Sequence, residues 1–384
     1  MRALMLEADW DPRPSAPPTD QERITRRARM GSQAWRHPRL VPTDVPDPTL
    51  RPDEVLVAVR AAGVCGSDTH CYETDADGYI LFSGPVAAPC VLGHEYAGEV
   101  IEVGAAVRHL APGDLVTAEG MLYCGVCEAC RKGLPNQCSA LDMTGFTSAG
   151  AFAEAIRVPE KHCWKLNDLA TSLGSAQRAC EHAALIEPTA CSYNGLYVAG
   201  GGMPPGSHVA VFGCGPIGLG AIALARAAGA AAILAFDLSE SRLALARAMG
   251  ADEAWSVLGA RPSDRVLAAT RGWGADRIIE AAGAAHHTMP EIERCLAPGG
   301  KMIYLGRTGQ RAPVQLDVLV SGASSICGAR GHAGGGCFPQ LLRLMERGRL
   351  DLAPMITARM PMAQAREAVV RSTTREDAKI MLIG

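Results

Sequence analysis

A formal charge of −3 over 384 residues leaves no basic footprint for nucleic acid, and aromatic residues at 5% offer few platforms for stacking bases. Apolar residues at 48% and charged residues at 20% suit a soluble globular chain, long enough for two domains with separate cores. The first ten residues acquire Glu7 and Asp9 and hold no apolar run of signal-peptide length, so the chain is expected in the cytoplasm.

Residues 2–7 read as a strand. Residues 11–48 are rich in Pro and Arg and are expected to form a solvated surface excursion, with a short basic helix over 20–29. Residues 55–59 alternate at period two and read as a strand. From 61 to 158 the chain is dense in Gly, Pro and Cys, which predicts β-rich architecture with long loops. Within it, 94–103 reads as helix or strand, and 114–118 and 151–158 read as strands.

Near residue 190 the texture changes. Strands are predicted from 208 and over 231–237, 277–281, 301–305 and 325–329. Helices are predicted over 217–229, 239–249 (with Ser239 as N-cap) and 286–296. Such alternation is the signature of a doubly wound parallel sheet. Helices at 339–347 and 362–372 are expected to return to the first domain. The predicted division is 1–190 with 340–384, and 191–339. The most apolar stretch, Val209–Phe236, resembles a membrane span by length, but Arg226, a proline and several glycines interrupt it.

That stretch contains a better explanation for its own apolarity. Gly213-Cys-Gly215-Pro216-Ile217-Gly218 fits G-x-G-x-x-G between a buried strand and a helix, and Asp237 ends the next strand. In such a motif the first glycine makes the turn, the second admits a pyrophosphate, and the third lets helix and strand pack closely. The helix N-terminus faces the phosphates. Asp237 would accept bonds from the ribose hydroxyls and repel a 2′-phosphate, which favours NAD over NADP. Arg242 is the nearest cation and is expected on the helix face, within the same cofactor-binding region.

Four of the fourteen cysteines, Cys124, Cys127, Cys130 and Cys138, follow the pattern C-x₂-C-x₂-C-x₇-C. Thiolates so spaced can close a tetrahedron around zinc, leaving no place for water. An iron–sulfur cluster is the alternative. The remaining cysteines scatter without pairing logic, as in a reducing compartment.

Three further fragments stand out: Cys65-Gly-Ser67-Asp-Thr-His70, Gly93-His94-Glu95, and Glu187-Pro188. With the four-cysteine lobe and the glycine motif, in this order, the chain resembles the zinc-dependent branch of the medium-chain dehydrogenase/reductase superfamily over nearly its whole length. The resemblance implies a GroES-like catalytic domain carrying a zinc lobe, joined to a Rossmann domain. It implies two zinc ions per chain, the structural one in the Cys₄ lobe and a catalytic one held by Cys65 and His94. Glu187 would be a further ligand, and Glu95 can also reach the metal. Ser67 and His70 match the family's proton-relay positions. A homo-oligomer, dimer or tetramer, is expected.

Segments 10–14, 72–81, 118–124 and 328–339 bring the chain nearest to the members that oxidise a ring hydroxyl of a cyclitol. Related enzymes of aminoglycoside pathways act on amino-sugar rings. The expected reaction is NAD-linked oxidation of a secondary ring alcohol, with Tyr72, Glu73 and His332 as substrate contacts. Glu73, Asp75 and Asp77 would form an acidic rim for ammonium groups. The rival readings are an acyclic-polyol or threonine dehydrogenase, and a non-catalytic zinc- and nucleotide-binding relative. The presence of Cys65 and His94 speaks against the last.

Overall fold

Apolar alternation along Glu54–Gly63 makes it the spine of the first unit. The structure, a computed structural model, describes residues 1–332 and 334–384. In it this strand pairs antiparallel with Glu95–Val103, Ala155–Pro159 and Lys379–Ile383. The seven-stranded sheet so formed extends through Leu115–Ala118 to Cys163–Lys165 on one side and to Ile356–Pro361 on the other. Val55, Val57, Leu92, Tyr96, Phe152 and Ile380 fill its core. The segment 94–103, open between helix and strand in the sequence, is strand from Glu95.

Contacts divide the chain into Met1–Glu187 with Ile356–Gly384, and Pro188–Met355. The helix Cys337–Glu346 therefore belongs to the second unit, whereas the sequence suggested a return at 340. Its apolar face (Phe338, Leu341, Leu342, Met345) is buried, and its Gln340 and Arg343 share a cleft with Tyr193 and Leu224 of the same unit.

The second unit holds six parallel strands. Their order is Glu253–Ser256, Ala232–Asp237, His208–Phe212, Ala275–Glu280, Leu296–Tyr304 and Ser325–Gly328. Numbered within the unit this is 3-2-1-4-5-6, the Rossmann order, with its switch point between His208–Phe212 and Ala275–Glu280. Ser239 stands at the N-cap of Glu240–Ala248 as expected, but its hydroxyl bonds Ser241 Oγ at 2.8 Å rather than the helix backbone.

The segment 11–48 is more ordered than a surface excursion. Trp35–Asp44 pairs antiparallel with Arg2–Trp10 over most of its length. Pro38 and Pro42 are tolerated because the strand lies at the edge of its sheet. Within the segment, Asp20–Thr25 is a helix closed by a Thr19–Glu22 capping box. No helix among the described residues is long and apolar enough to cross a membrane.

Candidate functional site: two metal centres and a dinucleotide cleft

Strand register assembles the first centre. Gly63 stands opposite Glu95 on one side and Met381 on the other. Cys65 lies just beyond the end of its strand, and His94 just before the start of the next. Lys379 enters from the third strand. Ligand atoms of Cys65, His94 and Glu95 consequently lie within 4.8 Å of one another. One thiolate, one imidazole and a carboxylate form a donor set that zinc accepts.

Each nitrogen of His94 has a polar side chain nearby. Asp68 Oδ1 lies 3.5 Å from Nδ1, and Ser67 Oγ lies 3.3 Å from Nε2. Burial works against a charged His94, but Asp68 and Cys65 outweigh it and raise its pKa. A carboxylate on the far nitrogen fixes the ring and its tautomer, as around ligand histidines generally. The same Asp68 accepts the Cys65 backbone N–H at 2.9 Å, so one carboxylate orients two candidate ligands. Asp68 was passed over in the sequence, although its place in Cys65-Gly-Ser67-Asp68 was the available signal.

Glu95 is fully buried and gripped by the equally buried Lys379, whose Nζ lies 2.7 and 2.5 Å from its two oxygens and 3.0 Å from Val64 O. Burial raises the Glu95 pKa against the pull of Lys379. The neighbouring carboxylate of Glu187 raises it further. Glu187, buried at the start of Ile186–Tyr193, thus acts on this centre by charge but stands outside the compact trio. Space for the Glu95–Lys379 pair exists only because residue 63 has no side chain. A Cβ there would sit 2.3 Å from Glu95 Oε2 and 3.2 Å from Lys379 Cδ.

The second centre is the cysteine lobe. The sulfurs of Cys127 and Cys130, and of Cys124 and Cys138, are 3.5 Å apart, and those of Cys127 and Cys138 are 3.8 Å apart. Ligands about 2.3 Å from a central zinc stand about 3.8 Å from each other, so the lobe has the size of a closed tetrahedral shell. These separations far exceed a disulfide bond, and none of the four is in one. Backbone N–H groups of Val126, Cys127 and Ala140 point at the sulfurs at 3.4 Å. The N–H groups of Cys130 and Ser139 pull the Cys127 thiol down to about 5, whereas burial and adjacent sulfurs push Cys130 up to about 12.

In the second unit the three motif glycines meet different surroundings. Gly213 has φ +94°, and a Cβ on it would lie 2.6 Å from Ala282 N. A Cβ on Gly218 would lie 1.8 Å from Gly213 O, so helix and strand could not close. Around Gly215 there is open space, at the N-cap of Pro216–Ala227, where Ile217 fills the first turn. A cavity of about 680 Å³ opens there, lined by Gly213, Gly215, Asp237, Leu238 and Arg242. Asp237 is fixed by the N–H groups of Cys214 (2.6 Å) and Ser239 (2.9 Å). Arg242 lines this cavity as well, within the region where the sequence placed it.

The expected substrate contacts fare differently. Asp75 and Asp77 pair with Arg13, whose guanidinium also covers the Tyr79 ring at 3.8 Å. Asp75 further accepts the N–H groups of Asp77 and Tyr79 at 3.0 Å. These pairings tie the loop to Arg13 and offset the charge of both carboxylates, although Asp77 stays largely exposed. Glu73 is paired with Arg375 at 2.5 Å. His332 is 1% exposed and rests against Phe338, so it presents no surface to a ligand. Tyr72 packs against the first unit's core. His70 is half-exposed on the helix Gly66–His70.

Two expectations follow. Gly63→Ala should force Glu95 and Lys379 apart and cost about 1–3 kcal/mol, as overpacking does. Denaturant melts of both proteins measure this, and an unchanged midpoint would mean the buried pair can be displaced freely. Cys127→Ser should lower the melting temperature by about 5 °C or more, since a metal lobe draws much of its order from the ion. A chelator added to wild type should then reproduce the fall, and calorimetry reads both.

Comparison with known proteins agrees with this geometry. The family model "Alcohol dehydrogenase GroES-like domain" matches residues 51–168, and "Zinc-binding dehydrogenase" matches 216–347. The chain is 36% identical to the scyllo-inosose 3-dehydrogenase of Thermotoga maritima, covering 97% of each. It is 33% identical to an L-threonine 3-dehydrogenase of Bacillus licheniformis, over 88% of this chain and 94% of that one. A solved Thermotoga maritima structure, provisionally described as an alcohol dehydrogenase, superposes with a TM-score of 0.96 at 35% identity over the whole of both chains. A zinc-binding dehydrogenase from Sinorhizobium meliloti, solved with NADP, matches with 0.77 at 26% identity over 99% of each chain. The catalytic-unit geometry, the Rossmann strand order and these likenesses agree: the chain belongs to the zinc-dependent alcohol dehydrogenases of the medium-chain dehydrogenase family.

Proposed function

We propose that this enzyme oxidises a secondary hydroxyl on a cyclitol or sugar ring to a ketone, with NAD⁺ as hydride acceptor. The observation that carries the chemistry is the trio Cys65, His94 and Glu95 with the Ser67 hydroxyl 3.3 Å from His94 Nε2. A zinc ion held by Cys65, His94 and one of the carboxylates Glu95 or Glu187 would supply Lewis acidity to the alcohol oxygen. Asp68, beside Nδ1, would leave Nε2 as the nitrogen that holds such an ion. Ser67 accepts the proton from the substrate oxygen and passes one on toward His70. Cys124, Cys127, Cys130 and Cys138 would hold a second zinc in a structural role, since four thiolates would leave no open position.

Both likenesses over nearly the whole chain are to enzymes named for small polar alcohols, and the longer and stronger one names a cyclitol ketone. The pairing of Asp75 and Asp77 with Arg13 offsets the negative charge that suggested an aminated ring. That favours a neutral polyol ring over an aminoglycoside intermediate. The threonine reading rests on the 33% likeness. Asp237, fixed at the end of its strand in the cavity, favours NAD, although Arg242 in the same cavity softens the penalty on a 2′-phosphate. A homo-oligomer fits the exposed Leu316 and Val320 near the edge strand Ser325–Gly328. A reducing, cytoplasmic setting fits the four lobe cysteines, which are free of disulfides.

NADH absorbance with a panel of inositols, sorbitol, L-threonine and aminocyclitols tests the reading. A neutral cyclitol should give the highest kcat/KM, with NAD⁺ preferred over NADP⁺. Asp237→Gly with Leu238→Arg should move the cofactor preference toward NADP⁺. Faster turnover of L-threonine, or a wild type that prefers NADP⁺, would contradict it.

A further inference from the structure

His70, the expected outer end of the relay, does not stand alone. Glu73 Oε2 lies 4.0 Å from its Nε2, one helical turn along the chain. The same Oε2 receives Arg375 Nη2 at 2.5 Å, while Arg375 Nη1 donates to Thr69 Oγ1 at 2.7 Å and to Ser372 O at 3.1 Å. Arg375 arrives from a segment three hundred residues away in sequence. Its backbone is left-handed, φ +61°, a conformation L-residues rarely adopt. A side chain carried there on such a backbone, and anchored on both sides of His70 in sequence, is built to meet this helix.

We propose that Arg375 and Glu73 are positioning residues for His70: the guanidinium takes up the Glu73 carboxylate and so leaves the imidazole neutral, ready to accept the proton that Ser67 delivers. A lone carboxylate 4 Å from an imidazole would favour the imidazolium, which cannot accept a proton. Arg375 cancels that pull and adds repulsion of its own. Partial burial and then the Arg375 guanidinium lower the His70 pKa, against the opposing pull of Glu73. Glu73 and Arg375 are the charged groups that act on it. On the helix Ala365–Ser372 packed nearby, Arg371 is turned to Asp377, and Asp68 on His70's own helix is turned to His94.

This rests on the relay reading, so the test measures His70 ionisation separately from turnover. The zinc-loaded enzyme, labelled with ¹³C-histidine, is titrated by NMR, with His70→Gln assigning the resonance. Arg375→Gln should raise the His70 midpoint by about 0.5–1 pH unit. Glu73→Gln alone should lower it, and the double variant should return it toward wild type. The acid limb of kcat/KM should move with the midpoint, upward for Arg375→Gln, because neutral His70 is the working form. An unmoved midpoint in Glu73→Gln and in a folded Arg375→Gln overturns the proposal. Should Arg375→Gln fail to fold, Glu73→Gln decides it. A midpoint that moves while the rate profile does not overturns the relay reading and leaves the pairing itself standing.

Discussion

The catalytic unit depends on one register. Gly63 sits between Glu95 and Met381, in strands from three distant parts of the chain. From that single alignment Cys65 and His94 emerge side by side at adjacent strand ends, and Lys379 comes within reach of Glu95. Because side chains alternate faces, a one-residue slip would turn each of these groups to the opposite face. The missing side chain at 63 is part of the same constraint, since the buried ion pair occupies the space a Cβ would need. A buried pair of this kind is poor evidence of added stability, because desolvation offsets attraction. Its value here is placement: it holds a carboxylate beside a candidate metal position without leaving the charge unbalanced.

Around this centre, five carboxylates are taken up by groups that hold structure. Asp68 serves Cys65 and His94. Glu95 serves Lys379, Glu73 serves Arg375, and Asp75 with Asp77 serves Arg13. These five carboxylates are therefore engaged within the first unit, while Glu187 acts on the centre besides them. A cationic group would meet little uncompensated negative charge among these five.

How much of this is legible in the sequence depends on whether a feature is local. The turn at Gly213 and the close helix packing at Gly218 were readable, because both are decided within a few residues of backbone. The four-cysteine lobe was readable for the same reason. Cys65, His94 and their neighbours Ser67 and Glu95 were picked out only through resemblance, since nothing local brings residues 65 and 94 together. Lys379 and Arg375 were missed, because their partners lie about three hundred residues away and a lone Lys or Arg carries no pattern. The strand Trp35–Asp44 was hidden by its prolines, which an edge position tolerates. Asp75 and Asp77 looked available because Arg13, their partner, lies in that same misread N-terminal stretch, and Glu73 because Arg375 is remote.

The central claim is that the polar groups gathered around Gly63 are arranged for a metal between Cys65 and His94, in addition to the metal in the cysteine lobe. Anomalous diffraction on crystals of the purified enzyme, collected on either side of the zinc absorption edge, locates such ions directly. The account predicts two anomalous peaks per chain, one enclosed by Cys124, Cys127, Cys130 and Cys138 and the other between Cys65 Sγ and His94 Nε2. A single peak at the lobe, from crystals of enzyme that is fully active, would contradict it.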